Sequence, residues 1–363
     1  MPIERLLDLA CAIQQIPAPT FEERARAEFV RDQFNAAGLA DVEMDDLGNV
    51  YGRRPGGEAR PLLVTAHTDT VFPADTPLDL KRDPERIVGP GIGDNSLGVA
   101  GLLGLAWALE GETLPGDLYL AANVGEEGLG DLRGMRRVVD RWGDMVRATI
   151  VLEGMAFGHI YHAGIGVRRY RFTTRAEGGH SYLHFGRPSA IHTLVRFAAR
   201  LTDLVVPQSP KTTFNIGTIS GGTSINTIAR EASLDLDLRS EDPGVLAALV
   251  VRVEELAASF EGRGVQMKTK VIGDRPYGAI PREHPLVQLA KRALEEAGIT
   301  PALEASSTDA NIPLSRGRPC ICVGLAQGAN AHRPDEYIET RDVKKGLGVL
   351  VKIVRSAFMM REA

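Results

Sequence analysis

The sequence predicts an α/β protein: a largely parallel mixed sheet with helices on both faces, interrupted by an inserted ferredoxin-like α+β domain. Three observations lead to this fold class. The chain has 363 residues, which exceeds one typical small core. Short apolar runs alternate with helical segments in its first and last parts, whereas the middle follows a βαββαβ order. The predicted domains are therefore 1–165 with 275–363, and the inserted 166–274.

The N-terminal part supplies the first elements of the expected sheet. One helix should end before Pro17, and a second should begin at Thr20, which has capping-box spacing to Glu23. The expected strands are 62–66, 118–124 and 149–152, with a helix at 97–109. This βα alternation indicates a largely parallel sheet.

The middle of the chain changes character, and the sheet pattern then resumes. The inserted domain should contain a strand at 167–174, a helix at 189–204, strands at 213–220 and 231–239, a helix at 243–260 and a strand at 265–271. A helix at 284–297 and an apolar strand at 320–325 follow. Cys320 and Cys322 alternate within that last strand, so we expect core packing rather than metal binding.

Composition narrows the class of protein. Hydrophobic residues make up 44% and charged residues 25%, as in an ordinary soluble globular protein. A net charge of -5 argues against a broad surface for nucleic acid or anionic membrane. No apolar stretch approaches the ~20 residues needed to span a bilayer, and the acid-containing N-terminus lacks a secretory pattern. We therefore expect a cytoplasmic protein.

Imidazole and carboxylate side chains follow the predicted strands. His67 follows the first strand, Glu126 and Glu127 the second, Glu153 the third, and His332 lies beyond the last. In open α/β sheets, ligands collect outside the carboxyl ends of the strands. We therefore expect these side chains to converge at one edge.

Imidazoles and carboxylates are the ligands that Zn²⁺ and similar divalent ions prefer. With Asp69 and Asp94, the set is too large for one tetrahedral ion, and one carboxylate is left over. This surplus suggests two metal ions and a general base, the equipment for metal-assisted hydrolysis.

Each motif alone has an ordinary alternative. The His67-Thr68-Asp69 segment places two polar groups on one side of an extended chain, so that Asp69 can orient a ligating His67, but a surface turn is the alternative. Asp94 in GPGIGDNSLG lies near a metal cluster or simply caps a helix. The adjacent Glu126 and Glu127 supply one ligand and one base, or form a solvated acidic turn.

The inserted domain contains two polar, glycine-rich segments, GGHSYLH at 178–184 and GGTSINTIARE at 221–231. Asn226 and Arg239 are candidates for binding a substrate carboxylate, Arg239 through a bidentate contact. The alternative for Arg239 is a salt bridge with Asp237 or Glu241 at the strand end. The remaining histidines are expected to be structural or surface residues: His159, His162, His192 and His284.

In combination and order, these motifs resemble the two-zinc aminoacylase, carboxypeptidase and peptidase T metallopeptidase family, which includes acetylornithine deacetylase and succinyl-diaminopimelate desuccinylase. The resemblance runs through AHTD, GPGIGDN, GEEG, the Glu153 strand, GGHS, GGTSIN and Asn-Ala-His. The helix start Asp94-Asn95-Ser96-Leu97-Gly98 differs from the Asp-Met-Lys-Gly of many deacylases and favours peptidase T-like relatives.

The resemblance implies a role for each residue. Asp94 would bridge two metal ions, with His67 and Glu153 on one and Glu127 and His332 on the other. Glu126 would be the general base, and Asp69 would orient His67. The family also implies a cis peptide bond between Asp94 and Asn95.

Residues outside the ligand set also receive roles from the resemblance. His180 would polarise the scissile carbonyl, in many members from the partner subunit of a homodimer formed through the inserted domain. Asn226 and Arg239 would anchor the substrate, and Thr308 belongs to a loop that resembles a substrate-lining segment.

These observations predict hydrolysis of an amide bond in a small peptide or an N-acyl amino acid. The expected cofactor is a pair of divalent ions, Zn²⁺ first, with Co²⁺ and Mn²⁺ as alternatives. Two-metal phosphoester hydrolysis is disfavoured because few Arg or Lys residues lie in the metal motifs. A catalytically silent binding protein on the same fold is the alternative from another class.

Overall fold

The structure is a computed structural model that describes residues 3–262 and 264–360. It divides into two compact units. The first comprises the chain up to Gly164 and from Gly278 onward, and the second is Ile165–Tyr277. The boundaries expected from the sequence were 165/166 and 274/275.

The first unit begins with these elements: α1 (Ile3–Gln14), α2 (Arg24–Ala36), β1 (Ala40–Met44), β2 (Val50–Arg54), β3 (Ala59–His67), β4 (Lys81–Arg82), β5 (Arg86–Val88), α3 (Gly98–Ala108), β6 (Gly116–Asn123), α4 (Arg133–Trp142), β7 (Ala148–Leu152) and β8 (His159–Gly164). The second unit contains β9 (Gly166–Ala176), β10 (Gly179–His180), α5 (Ala190–Thr202), β11 (Thr212–Gly221), β12 (Thr227–Ile228), β13 (Glu231–Ser240), α6 (Pro243–Ala258) and β14 (Val265–Arg275). The first unit is completed by β15 (Gly278–Ala279), α7 (Pro285–Glu296), β16 (Ala302–Ser306), α8 (Asn311–Ser315), β17 (Cys320–Val323), β18 (Gly328–Ala329), β19 (Tyr337–Glu339) and α9 (Thr340–Phe358).

The main sheet of the first unit has the order β1-β2-β6-β3-β7-β17-β8-β15, with β16 beside β8. Its centre, from β6 to β17, is parallel, and antiparallel pairs lie toward both edges. Strands β7 and β17 are buried along their whole length, as expected for strands covered by helices on both faces. Helices α3 and α9 pack against β3, while α4 packs against β6. The predicted fold class is confirmed.

The start of the second helix was predicted wrongly. Helix α2 begins at Arg24, and its N-cap residue Glu23 makes no side-chain capping bond. The Thr20 hydroxyl instead donates to Asp69 Oδ2 at 2.9 Å, and Glu23 Oε1 accepts from the Phe21 N–H at 3.0 Å. The Thr20 hydroxyl thus binds the buried carboxylate of Asp69, which is distant in sequence, and does not cap the helix as the local pattern predicted.

The second unit has the βαββαβ order expected from the sequence. Its four-stranded sheet runs β11-β13-β9-β14, with every neighbouring pair antiparallel. This order is that of a ferredoxin-like unit. The aromatic side chains Tyr170, Phe172 and Phe197 lie in a separate core between this sheet and helices α5 and α6.

Two glycine-rich segments of the second unit pair with each other. Strand β10 is antiparallel to β12, with Gly179 opposite Ile228 and His180 opposite Thr227.

Within the ranges that the structure describes, no helix is both long and apolar enough to cross a membrane.

Candidate metal centre

Side chains from five separate segments of the first unit lie together. His67 ends β3, Glu126 and Glu127 follow β6, and Glu153 follows β7. Asp94 lies in the turn before α3, and His332 lies between β18 and β19. Except for Asp94 and His332, each comes directly from or just after a parallel strand, as expected for ligands at the carboxyl edge of such a sheet.

The ligand candidates form two groups that share Asp94. In the first group, His67 Nε2 lies 3.1 Å from Asp94 Oδ1 and 3.6 Å from Glu153 Oε2. In the second, His332 Nε2 lies 3.2 Å from both Asp94 Oδ2 and Glu127 Oε1. One ligand atom each from His67, Asp94 and Glu127 also lie within 4.8 Å of one another. The two oxygens of Asp94 therefore face two different imidazoles.

The chemistry of these donors fits a cation. His67 Nδ1 lies 3.1 Å from the main-chain oxygen of Asp69. That oxygen only accepts, so Nδ1 carries a proton, and in the neutral ring that binds a metal ion Nε2 turns its lone pair toward Asp94 and Glu153. Among the described residues, the buried Asp94 Oδ1 has no hydrogen-bond partner. Electron pairs that face each other in a buried site repel unless a cation lies between them, so the residues present fit divalent ions.

The ionisable groups show how strongly this site attracts positive charge. Burial lowers the pKa of His67, but Glu153, Asp69 and Asp94 together raise it well above its usual value. Hydrogen bonds to Asp94 and Glu127 raise the pKa of His332 to about 10.

The carboxylates respond in the complementary way. Burial and the charge of Asp94 raise the pKa of Glu127 to about 8, and burial raises that of Glu153 to about 7. Protons therefore compete with metal ions for Glu127 and Glu153, and metal binding has to displace any proton bound there.

Asp69 organises the turn that carries the paired glutamates. It is fully buried, and its two oxygens accept from the main-chain N–H groups of Glu126 and Glu127, each at 2.9 Å. The sequence led us to expect that Asp69 orients His67. The structure adds that the His67 hydrogen bond goes to the main-chain oxygen of Asp69, with the carboxylate 3.5 Å away.

The turn that carries Asp94 is tied to the segment that carries Glu153. The Asp94–Asn95 peptide bond is cis, as the sequence led us to expect. The Asn95 amide donates to Leu152 O at 2.8 Å and accepts from Gly154 N at 2.9 Å. One side chain thereby fixes the backbone on both sides of Glu153.

Three further buried polar residues surround the cluster. Sequence reasoning missed Asn123 and Glu336 and placed Asp309 only in the loop that resembles a substrate-lining segment. Asn123 donates to Asp309 Oδ2 at 2.7 Å, and Glu336 accepts from the main chain at Gly93 and Asp94. Burial raises the pKa of Glu336 to about 7 and that of Asp309 well above its usual value. Asn123, at the end of β6, had the same strand-end signal as His67, whereas Glu336 looked like an ordinary acid in a charged loop.

Thr308 lies in a tight turn of the first unit. It is buried, its hydroxyl accepts from the Ala310 N–H at 3.2 Å, and its own N–H donates to Asn311 Oδ1 at 3.1 Å.

Glu126, the carboxylate left over from the two ligand groups, is also buried, with 5% of its surface exposed.

The candidate substrate residues of the second unit lie on two different features. His180 and Asn226 are exposed and come close through the paired glycine-rich segments, where Ser181 N donates to Asn226 O at 3.0 Å. Arg239 lies on β13, and its Nε donates to Asp237 Oδ1 at 2.7 Å. The salt bridge considered as an alternative is therefore formed.

Four further histidines lie outside the ligand groups. His159 Nδ1 lies 3.0 Å from Glu304, and His162 Nδ1 lies 2.8 Å from Ile280 O. His284 caps α7 by accepting from Leu286 N. His192 is exposed on α5.

Known proteins are similar to this chain in sequence and in fold. Residues 63–356 match peptidase family M20/M25/M40. A peptidase M20 domain-containing protein of Schizosaccharomyces pombe is 26% identical over 97% of this chain and 84% of that protein. An acetylornithine deacetylase of Klebsiella pneumoniae is 26% identical over 82% of this chain and 81% of that protein. The crystal structure of aminopeptidase PepT from Bacillus cereus shares the fold, with a TM-score of 0.77 at 23% identity over 98% of this chain and 99% of that one.

Fold, site and relatives together define a metal-dependent hydrolase. The chain belongs to peptidase family M20/M25/M40.

Proposed function

We propose that this protein hydrolyses an amide bond in a small peptide or an N-acyl amino acid, using two bound divalent metal ions. The observation that carries the proposal is the shared Asp94, whose two oxygens face His67 and His332. His67, Asp94 and Glu153 would hold one ion, and Asp94, Glu127 and His332 the other. Nitrogen and carboxylate ligands suit Zn²⁺ best, with Co²⁺ and Mn²⁺ as alternatives.

Glu126 is the carboxylate left over from this ligand set, and we assign it as the general base. When bound, divalent ions polarise a carbonyl and make a water molecule more acidic. Glu126 takes a proton from the attacking water and returns it to the departing nitrogen. Asp69 supports this role because it fixes the main-chain N–H of Glu126 within the turn.

His180 is suited to donate a hydrogen bond to the carbonyl oxygen of the substrate. Its Nδ1 accepts from the main-chain N–H groups of Tyr182 and Leu183, at 3.2 and 3.4 Å. In the neutral ring the proton is then on Nε2, which makes Nε2 a donor. A donor aimed at the developing oxyanion stabilises the transition state of acyl transfer.

The remaining assigned residues would bind the substrate. Asn226 and Arg239 would hold its carboxylate, and Thr308 would line the site. Arg239 retains donors for this purpose, since its hydrogen bonds to Asp237 use only Nε, at 2.7 Å, and one N–H of Nη2, at 3.4 Å. Homodimer formation through the second unit and a cytoplasmic location, both expected from the sequence, stay predictions.

The substrate class has two versions within this proposal. The similarity to an acetylornithine deacetylase supports an N-acyl amino acid, and the helix start after Asp94 supports a peptide. In an N-acyl amino acid and in a dipeptide alike, the Cα bonded to the amide nitrogen carries a carboxylate, so the same donors serve both.

A test compares the protein after metal removal with samples reloaded with Zn²⁺, Co²⁺ or Mn²⁺. Each sample is incubated with dipeptides, tripeptides and N-acyl amino acids, and the products are identified by mass spectrometry. We expect cleavage of one of these amide classes only in the reloaded samples. A metal-loaded protein that leaves every amide intact, yet binds one of them, would establish the silent binding protein instead.

A further inference from the structure

Glu336 is a buried carboxylate that no step of the proposed reaction uses. It lies directly before β19, and its side chain is fully buried. Its Oε1 accepts from two consecutive main-chain N–H groups, Gly93 at 2.8 Å and Asp94 at 2.9 Å. The carboxylate is therefore directed at the peptide groups on the N-terminal side of the Asp94 side chain.

A second contact strengthens this connection. The main-chain oxygen of Glu336 accepts from Gly89 N at 2.8 Å, so this residue holds the segment before Asp94 at two points. Glu336 also closes the turn that directly follows His332, because its N–H donates to Arg333 O at 3.1 Å. One residue thus joins the two segments that place Asp94 and His332 next to each other.

The same arrangement occurs once more around the cluster. Asp69 accepts from the consecutive N–H groups of Glu126 and Glu127. In both cases a buried carboxylate from a distant segment holds adjacent amides of a turn that presents acidic side chains. Two independent occurrences around one cluster argue that these bonds set the geometry of the turns.

We propose that Glu336 is a positioning residue that orients Asp94 between His67 and His332 and thereby sets the affinity for the metal ions. This inference rests on the proposed function only in requiring that the protein binds divalent ions. A shift of Asp94 changes the distance to both imidazoles, because each of its oxygens faces one of them. Partners that orient metal ligands commonly contribute about 10–100-fold in metal affinity.

The test uses three substitutions of Glu336 in the full chain. Glu336→Gln keeps an acceptor oxygen at the same reach, so Gly93 and Asp94 keep their partner. Glu336→Ala removes the acceptor, and Glu336→Asp keeps the charge but shortens the side chain by one methylene group. Glu339→Gln is the matched control, since the Glu339 carboxylate pairs with Arg86 and Arg341 instead.

Metal binding is measured by titrating the metal-free proteins with Co²⁺ and following the visible absorption, together with the metal content after dialysis in buffered Zn²⁺. We expect Glu336→Gln and Glu339→Gln to bind both ions within about threefold of the wild type. Glu336→Ala should bind at least one ion about 10–100-fold more weakly and show an altered Co²⁺ spectrum. If the alanine variant does not fold, Glu336→Asp should still show the weaker binding.

Two results would overturn the inference. One is wild-type affinity and an unchanged Co²⁺ spectrum in Glu336→Asp and in any folded Glu336→Ala. The other is equal weakening by Gln and Ala, which would assign the effect to charge rather than to the acceptor. A wild-type protein that binds two ions but cleaves no amide contradicts the proposed function and leaves this comparison of affinities decisive.

Discussion

The two units present their candidate functional residues in opposite ways. In the first unit, His67, Asp69 and Glu126 are buried, and hydrogen bonds fix the turns that carry them, with His332 as an exposed exception. In the second unit, His180 and Asn226 are exposed: His180 ends β10 and Asn226 directly precedes β12, the two strands of a short sheet.

This difference matches two chemical tasks. A cluster of acids that binds cations needs its repulsive geometry enforced by the surrounding structure, which buried hydrogen bonds provide. A residue that contacts a small substrate has to be reachable, and its geometry is completed by the substrate. The proposed metal ligands of the first unit are thus held by the surrounding structure, whereas the proposed substrate contacts of the second unit lie on an exposed surface.

The largest expected effect comes from the buried side of the comparison. Glu126→Gln removes the proposed base and keeps the shape of the side chain. We expect the turnover number to fall by about 10²–10⁴-fold, the usual contribution of general acid–base catalysis. The metal content should stay at the wild-type level, because Glu126 lies outside both proposed ligand groups. Near-normal turnover in a metal-replete variant would rule out the base assignment.

His180→Ala tests whether loss of an exposed residue lowers the turnover number almost as far as Glu126→Gln does. Loss of a single oxyanion donor commonly costs about 10²–10³-fold in turnover. We expect a loss of that size with unchanged metal content and unchanged thermal stability. His192→Ala, an exposed histidine on α5 of the same unit, is the control and should behave as wild type. Equal activity of the two variants would remove His180 from the mechanism.

Asp69→Ala tests a buried residue of the first unit, and it should act through the neighbouring residues that Asp69 holds in place. The main-chain N–H groups of Glu126 and Glu127 lose their acceptor, so the base and one ligand shift together. We expect about 10–100-fold weaker metal binding or activity and a loss of about 1–3 kcal/mol in the free energy of unfolding. Metal titration and thermal unfolding measure these effects, with the exposed Asp75→Ala as control. A variant with wild-type values in both would show that the turn holds itself.

The sequence predicted best those candidate site residues that lie at the ends of parallel strands. His67, Glu126 and Glu153 follow apolar runs that became β3, β6 and β7, and parallel strands bring their ends together whatever the sequence separation. The ferredoxin-like unit was equally accessible, because alternating burial and capped helices are local patterns.

What the sequence did not predict depends on long-range contacts. Thr20 had the pattern of a helix cap and instead donates to Asp69. Glu336 lies in a run of charged residues, and only the fold brings its carboxylate to Gly93 and Asp94, more than 240 residues away. No local periodicity marks such a side chain, since its partners are main-chain groups of another segment.

The smallest expected effect concerns Asp237 in the second unit, which accepts from Arg169 Nε at 2.8 Å and from Arg239 Nε at 2.7 Å. Burial raises the pKa of Asp237, but these two arginines outweigh it and hold the pKa below its usual value. The ionised form is thus favoured in the folded state. Its stabilisation is present above the unfolded pKa of about 3.9 and is lost as the pH falls through the lower folded pKa.

Asp237→Asn should therefore destabilise the sheet of the second unit by about 1–2 kcal/mol at pH 7, and this deficit should shrink below pH 4. Hydrogen exchange of peptides from β9 and β13 measures the local stability, after correction for intrinsic exchange at each pH. Glu241→Gln removes the other acid considered as a partner of Arg239 and should leave the exchange of both strands unchanged. A deficit that is equal at pH 7 and pH 3 would mean that the substitution acts through packing rather than through the charge of Asp237.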